Sequence, residues 1–286
     1  MSDAADTEAV RDADGATRFA TPVNLEVPPA RPAEFEPLML GEGRVAEPLR
    51  VWPPVVLAPM AGVTNLAFRT LCREYGAGLY VSEMITARGY LMGNRLTALL
   101  ASSSSPDEKP RSVQVYGADP VDLGEMVKSL VDEGVDHLDI NMGCPVPKVT
   151  RAGGGSAIPV KPRLLARLVR AMVQNAGDVP VTVKMRKGIS HDLLTFEEAG
   201  RAAAGEGASA VGLHARTAAE LYSGEADWSA IGRLVEVVDV PVLGNGDIWE
   251  PWDALRMMRE TGCAGVIVGR GCLGRPWLFR ELAQVF

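Results

Sequence analysis

The sequence predicts a (β/α)8 barrel, a TIM barrel, and three observations lead there. From Val55 onward, eight short apolar runs recur at Val55–Ala58, Leu79–Val81, Ser112–Tyr116, Val135–Ile140, Val181–Lys184, Ala210–Leu213, Val240–Leu243 and Gly265–Val268. They are continuous rather than alternating, the pattern of strands buried on both faces of a parallel sheet. Helical periodicity fills the gaps between them, and eight such units in about 230 residues match the size of this fold. An open doubly wound sheet is the alternative, but no GxGxxG turn follows an early strand.

The helices carry their own punctuation. Asp119–Asp132 opens with Asp119 as N-cap and Pro120 in the first turn. Pro162–Gln174, Phe196–Ala204, Asp227–Val238 and Pro251–Arg259 follow the same 3.6-residue period. Gly76, Gly134, Gly177, Gly207 and Gly262 stand where helices end before the next strand.

Before the barrel, residues 1–50 read as an acidic, proline-rich N-terminal extension, with residues 51–286 as the catalytic domain. Residues 1–36 hold eight acids against three arginines, and composition predicts a disordered tail there. Residues 38–50 read either as a short β-ribbon or as a covering segment.

Bulk numbers set limits. At 286 residues and 47% hydrophobic content the chain can bury a large core. A net charge of -7 gives no overall basic excess, so any nucleic-acid contact has to come from local placement. Cys72, Cys144, Cys263 and Cys272 form no CxxC pair, which suits a reducing, cytoplasmic setting. No secretory signal and no run of 18 apolar residues is evident. Neither a membrane nor a protein partner is expected.

In this fold the chemistry sits at the C-terminal ends of the strands. Strand 1 ends in Pro59-Met60-Ala61, strand 3 carries Gln114, and strand 4 runs into Asn141-x-Gly143-Cys144-Pro145. The Cys144 thiol lies on a stiff turn between glycine and proline, followed by Lys148 and Arg151, basic neighbours of the kind that make a cysteine reactive rather than an inert core residue. Strand 5 ends in Lys184-x-Arg186-Lys187, strand 6 in His214-x-Arg216. No histidine or carboxylate shows metal spacing, so His214 is expected to touch an organic cofactor. The turns Gly244-Asn245-Gly246-Asp247 and Gly269-Arg270-Gly271 free backbone N–H groups for a phosphate, where this fold usually binds one. The same face collects Lys148, Arg151, Lys184, Arg186, Lys187, Arg216, Arg270 and Arg275. Ser102–Ser105 reads as a loop before strand 3, with a mobile lid as the alternative.

With these residues in view, the chain resembles the tRNA-dihydrouridine synthase family, most closely its bacterial B-type branch, from Val55 to Phe286. The motifs are Ala58-Pro-Met-Ala-Gly62, Gln114, Asn141-x-Gly-Cys-Pro-x-x-Lys148, Lys184-x-Arg186, His214-x-Arg216-Thr217, Tyr222-Ser-Gly224, Asp227-Trp228, Gly244-Asn-Gly-Asp247 and Gly269-Arg-Gly271. The resemblance implies an FMN enzyme that uses NADPH to reduce uridines of tRNA. It implies Pro59, Met60 and Ala61 along the flavin, Gln114 and Lys184 at its polar edge, and His214, Asn245, Gly246, Asp247, Gly269 and Arg270 around ribityl and phosphate. Cys144 would protonate the uracil, Asn141 orient it, and Lys148, Arg151 and Arg216 meet the base or nearby phosphates. Members also carry a C-terminal helical domain that grips tRNA. The sequence ends in the first helix after strand 8, so the chain is expected to hold FMN yet bind tRNA weakly. Two rivals remain at this stage: an FMN barrel acting on a small pyrimidine-like molecule, and a non-catalytic tRNA-binding barrel.

Overall fold

The computed structural model describes residues 35–101 and 107–286, and in the N-terminal unit only the backbone pairing of Val10–Arg11 with Thr17–Arg18. The rest of the expected disordered tail as far as Glu34, and the Ser102–Ser105 loop, lie outside the described residues, while Phe35 and Glu36, also expected in that tail, belong to the folded unit.

Eight parallel strands form the barrel: β1 (Val55–Leu57), β2 (Leu79–Tyr80), β3 (Ser112–Tyr116), β4 (His137–Met142), β5 (Val181–Ser190), β6 (Ala210–Thr217), β7 (Val242–Asn245) and β8 (Gly265–Val268). Hydrogen bonding runs in the order β2-β1-β8-β7-β6-β5-β4-β3. The ring is closed between β2 and β3, where Val81 bridges Ser112 and the short strand Ile85–Thr86 pairs with Val115–Tyr116. Around it lie α1 (Leu66–Glu74), α2 (Ala87–Leu91), α3 (Arg95–Ala101), α4 (Pro120–Asp132), α5 (Pro147–Thr150), α6 (Pro162–Ala176), α7 (Phe196–Gly205), α8 (Trp228–Val237), α9 (Pro251–Thr261) and α10 (Leu278–Val285). Asp119 caps α4 through its carboxylate, accepting from the N–H groups of Val121 and Asp122. Gly76, Gly134, Gly177, Gly207 and Gly262 all take positive φ just past helix ends, where a side chain would be strained.

Two elements differ from expectation in ways that matter. First, the folded unit begins at Phe35, not at residue 51. Leu38–Leu40 pairs antiparallel with Leu49–Val51, and Leu38, Leu40 and Val51 are buried against Val56, Leu79, Ala210, Leu243 and Ile267. The alternation of Leu38 and Leu40 gives this ribbon one apolar face, which plugs the barrel interior away from the site. Second, β5 and β6 run well past their predicted ends, to Ser190 and Thr217, with a register shift between Arg186 and Gly188. That overrun carries Lys184 and Arg186, and His214 and Arg216, as same-face pairs out to the rim of the barrel.

Candidate active site

Two connected recesses open at the C-terminal rim. The larger, about 520 Å³, is lined by Met84, Gln114, Asn141, Cys144, Arg186 and Leu273, among others. The smaller, about 110 Å³, is lined by Arg216, Asn245, Gly246, Asp247, Trp249 and Gly269. Pro59, Met60, Lys184, His214, Tyr222 and Arg270 wall both.

Strand register explains the shared wall. Lys184 lies opposite Gly212, and a Cβ added there would meet Ile267 Cδ1 at 2.8 Å and Lys184 Cγ at 3.6 Å. Glycine thus leaves room for the Ile267 side chain, with the lysine stem at ordinary contact distance of the same position. Lys184 Nζ donates to Asn245 Oδ1 at 2.9 Å, and Asn245 Nδ2 is anchored on the Ile267 carbonyl at 2.8 Å. Burial pulls the Lys184 ammonium down to about 8, with Asp139 opposing the shift and Arg186 adding to it. His214 is held neutral: burial, then Lys184, Arg186, Arg216 and Arg270, take it to about 2. A neutral imidazole among cations can accept or donate a hydrogen bond without adding charge.

Arg216 is 1% exposed and heavily committed. Its Nε and Nη2 donate to the carbonyls of Ser223 and Gly224, and Nη2 also reaches both oxygens of Asp247 at 2.8 and 2.9 Å. Its Nη1 is buried with no partner among the described residues. Unpaired buried donors are costly, so this N–H marks a place for an acceptor. Arg270, 3.8 Å from Asp247, lies between the rings of Tyr222 and Trp249 at 4.8 and 5.4 Å. Together with the glycine turns after β7 and β8, the small recess is a cradle for an anion such as a phosphate ester.

Cys144 lies half-buried in the larger recess. Its turn is locked from three sides. Asn141 Oδ1 accepts from the N–H groups of Gly143 and Cys144 at 3.2 and 2.9 Å, and the Cys144 carbonyl accepts from Ser156 N at 3.0 Å. Gly155, at φ +57°, passes so close that a Cβ would lie 2.4 Å from that carbonyl. Here the glycine run is packing for the thiol turn.

Most of the expected residues therefore meet: Pro59, Met60, Ala61, Gln114, Asn141, Cys144, Lys184, His214, Asn245, Gly246, Asp247, Gly269, Arg216 and Arg270 line one connected site. Lys148 and Arg151 do not. Both are exposed, on and just after the four-residue helix α5, and line neither recess. The cations that share the thiol's recess are Lys184, Arg186 and Arg270 instead, and Arg186 Nη1 donates to the carbonyls of Thr217 and Leu221 at 2.8 Å each. Arg216, expected toward the substrate, is turned to the anion cradle. Asp247 acts as its counter-charge, also accepting from Ala226 N at 2.7 Å. Sequence reasoning misses Tyr222, Met84 and Trp249 as site residues. Tyr222 has a signal in its Tyr-Ser-Gly motif; Met84 and Trp249 have none beyond following strands. The basic rim is also less free than the sequence suggests, since Lys187 pairs with Asp227 and Arg275 with Glu250.

A parallel barrel that gathers a thiol, a buried lysine and an anion cradle on its C-terminal rim has the layout of a TIM-barrel protein with a candidate active site. The family model described as dihydrouridine synthase (Dus) matches residues 56–286, and the chain belongs to that family. It is 53% identical over 250 residues to a "Probable tRNA-dihydrouridine synthase" of Mycobacterium tuberculosis, covering 84% of this chain and 64% of that protein. It is 42% identical over 228 residues to "tRNA-dihydrouridine synthase B" of Pseudomonas aeruginosa, covering 80% of this chain and 68% of that one. The chain thus spans just under two thirds of the length of the mycobacterial relative. Among solved structures, histamine dehydrogenase from Rhizobium sp. 4-9 shares the fold at a TM-score of 0.63 and 14% identity, over 88% of this chain and 48% of that one.

Proposed function

We propose that this barrel is the catalytic part of a B-type tRNA-dihydrouridine synthase, reducing uridines of tRNA with FMN as cofactor and NADPH as reductant, in the cytoplasm. The observation that carries the reading is the pairing of Cys144 with an anion cradle across a shared wall of Met60, Lys184, His214 and Arg270. The donor set fits FMN: the unpaired Arg216 Nη1, the Arg270 guanidinium and the glycine turns suit its phosphate, and a buried lysine suits a ring edge that gains negative charge on reduction.

FMN, when bound, supplies hydride chemistry at the uracil ring. The protein's own parts do the rest. Lys184, steered by Asn245, offers an N–H to the polar ring edge. Neutral His214 supports the cofactor's polar chain without repelling Arg270. Cys144 would be the acid that delivers a proton to uracil C5. Asn141 and Gln114 present amide groups beside it. A uridine inside folded tRNA must leave its stack to enter, at a cost of a few kcal/mol. The half-open recess and its apolar lip, Leu221, Tyr222 and Leu273, leave room for such an extruded base.

The test is anaerobic. The full chain is reduced with NADPH, mixed with unmodified tRNA, and the flavin absorbance followed. Reoxidation by unmodified tRNA but not by dihydrouridine-containing tRNA or free uracil is expected; turnover of free uracil or orotate instead would replace the reading by a small-molecule reductase. Cys144→Ala is expected to retain flavin and lose dihydrouridine formation by at least about 100-fold, the lower bound for a positioned acid.

A further inference from the structure

Asp139 precedes Asn141 by two residues on β4, so both side chains project to the same side of the strand. It is 5% exposed and accepts two hydrogen bonds, from Gln114 Nε2 at 2.6 Å and Thr182 Oγ1 at 2.5 Å. Each bond ends a chain, the first directed from its far end and the second from Asp139 itself. Backbone amides can only donate, so Gly143 and Cys144 draw the oxygen of Asn141 to their side. That leaves Asn141 Nδ2 on Gln114 Oε1 at 2.9 Å, and Gln114 Nε2 on Asp139. On the other arm, the Thr182 hydroxyl donates to Asp139 and therefore accepts from His137 Nε2 at 3.0 Å. The His137 Nδ1 then accepts from Ser112 Oγ at 2.7 Å. Burial, which holds His137 neutral, agrees with this single tautomer.

Both arms point at one carboxylate. We infer that Asp139 is a positioning residue: as the common acceptor it closes the Cys144–Asn141–Gln114 chain in the direction that the Gly143 and Cys144 amides impose, and so holds Asn141 as a hydrogen-bond donor to the cleft. Asn141 Oδ1 spends its two lone pairs on two backbone N–H groups, and one N–H goes to Gln114, so one N–H remains. That donor matches a ring carbonyl, as on uracil, and not an exocyclic amine. This last step rests on the uridine reading above; the direction of the chain does not.

Reversing the chain tests it. In Asn141→Asp, the new carboxylate needs the Gln114 nitrogen, which turns Gln114 Oε1 against the Asp139 carboxylate. Adding Asp139→Asn supplies an N–H for that oxygen, while the oxygen of the introduced amide still accepts from Thr182. The chain without flavin is followed by thermal unfolding and by the iodoacetamide labelling rate of Cys144, the other three cysteines being buried. Asn141→Asp is expected to lower the unfolding midpoint by about 5 °C and to change labelling at least about threefold, and the double variant to recover more than half of both. Recovery of less than half in the double variant would overturn the inference. Should Asn141→Asp not fold, the double variant decides alone: folded supports the chain direction, unfolded refutes it. In the flavin-loaded chain the double variant, with an acceptor where the donor stood, is expected to keep flavin and lose uridine turnover; undiminished turnover would refute the donor assignment. Failure of the tRNA assay in the unaltered chain would remove the uridine reading but leave the rescue result intact.

Discussion

Arg216→Met removes a charge while nearly keeping length and volume, and its cost can be worked from the contacts. The guanidinium loses the carbonyls of Ser223 and Gly224 and both oxygens of Asp247. Deleting one partner of a buried ion pair costs about 3–5 kcal/mol, because the other charge stays behind. Here the remaining partner is softened: the Asp247 side chain is 21% exposed and keeps the Ala226 N–H, with Arg270 at 3.8 Å. About 2–3 kcal/mol is the reasonable range, which for a chain of this size lowers the unfolding midpoint by roughly 4–12 °C. The same change deletes the unpaired Nη1, so affinity for flavin phosphate should fall at least about tenfold, while riboflavin, which lacks the phosphate, should bind no worse than before. Calorimetric unfolding and flavin fluorescence titration measure the two effects. Equal weakening of FMN and riboflavin would refute the placement of the phosphate at Arg216, and a midpoint shift under about 2 °C would refute the counter-charge role given to Asp247.

Three further outcomes follow from single contacts. Gly155→Ala would force a Cβ to 2.4 Å from the Cys144 carbonyl at φ +57°, and should cost about 1–3 kcal/mol while altering Cys144 labelling; Gly62→Ala, at φ +76° with open space around it, should carry only the backbone strain and leave labelling unchanged. His137 is held down to about 3 from 6.5, so between those values the unfolded chain binds the extra proton; its contribution is complete above about pH 6.5 and is lost toward pH 3, and an uncharged His137→Asn variant should show a flatter acid limb by up to about 1.4 kcal/mol per pH unit. Lys184, held at about 8 against 10.5, works in the other window: the unfolded chain again binds more protons between pH 8 and 10.5, so stability should rise with pH there, and Lys184→Met should abolish that rise in urea titrations.

How much of this was legible beforehand depends on range. The eight strands were visible because buried parallel strands read as apolar runs, and the helix ends because Asp119 and the five glycines have local conformational reasons to be there. The strand-end rule then gathered Gln114, Cys144, Lys184, His214 and Asn245 without further help. What the sequence does not show is side-chain direction. Lys148 and Arg151 follow Cys144 closely in sequence, yet the turn through Pro145 and Pro147 leads into α5 and leaves both exposed. Arg216 looked like substrate contact because its charge is visible in the sequence and its commitment to Asp247, thirty-one residues on, is not. The ribbon at Leu38–Val51 was ambiguous because its partner surface is assembled from β1, β2, β6, β7 and β8.

Buried polarity also explains why the motif residues belong together. Asn141, Gln114 and Asp139 come from β3 and β4, adjacent strands whose register sets Gln114 opposite Asp139. Thr182 on β5 is opposite Asp139 on the other side, so three neighbouring strands converge on one carboxylate. Burial drives that carboxyl up to about 6, and the hydrogen bonds from Thr182 and Gln114, with the Lys184 charge, pull against the rise. A chain of amides that begins at the thiol turn therefore ends at a carboxyl that burial biases toward protonation, with Lys184, on the wall shared by the two recesses, as the cation acting against that bias. Removing Asp139 by an apolar residue would strand Gln114 and Thr182 together, whereas Asp139→Asn lets the Thr182–His137–Ser112 arm reverse its donors and survive. The conservative change should accordingly be well tolerated in stability and the apolar one, Asp139→Leu, should not, a difference that a purely steric role for this position would not produce.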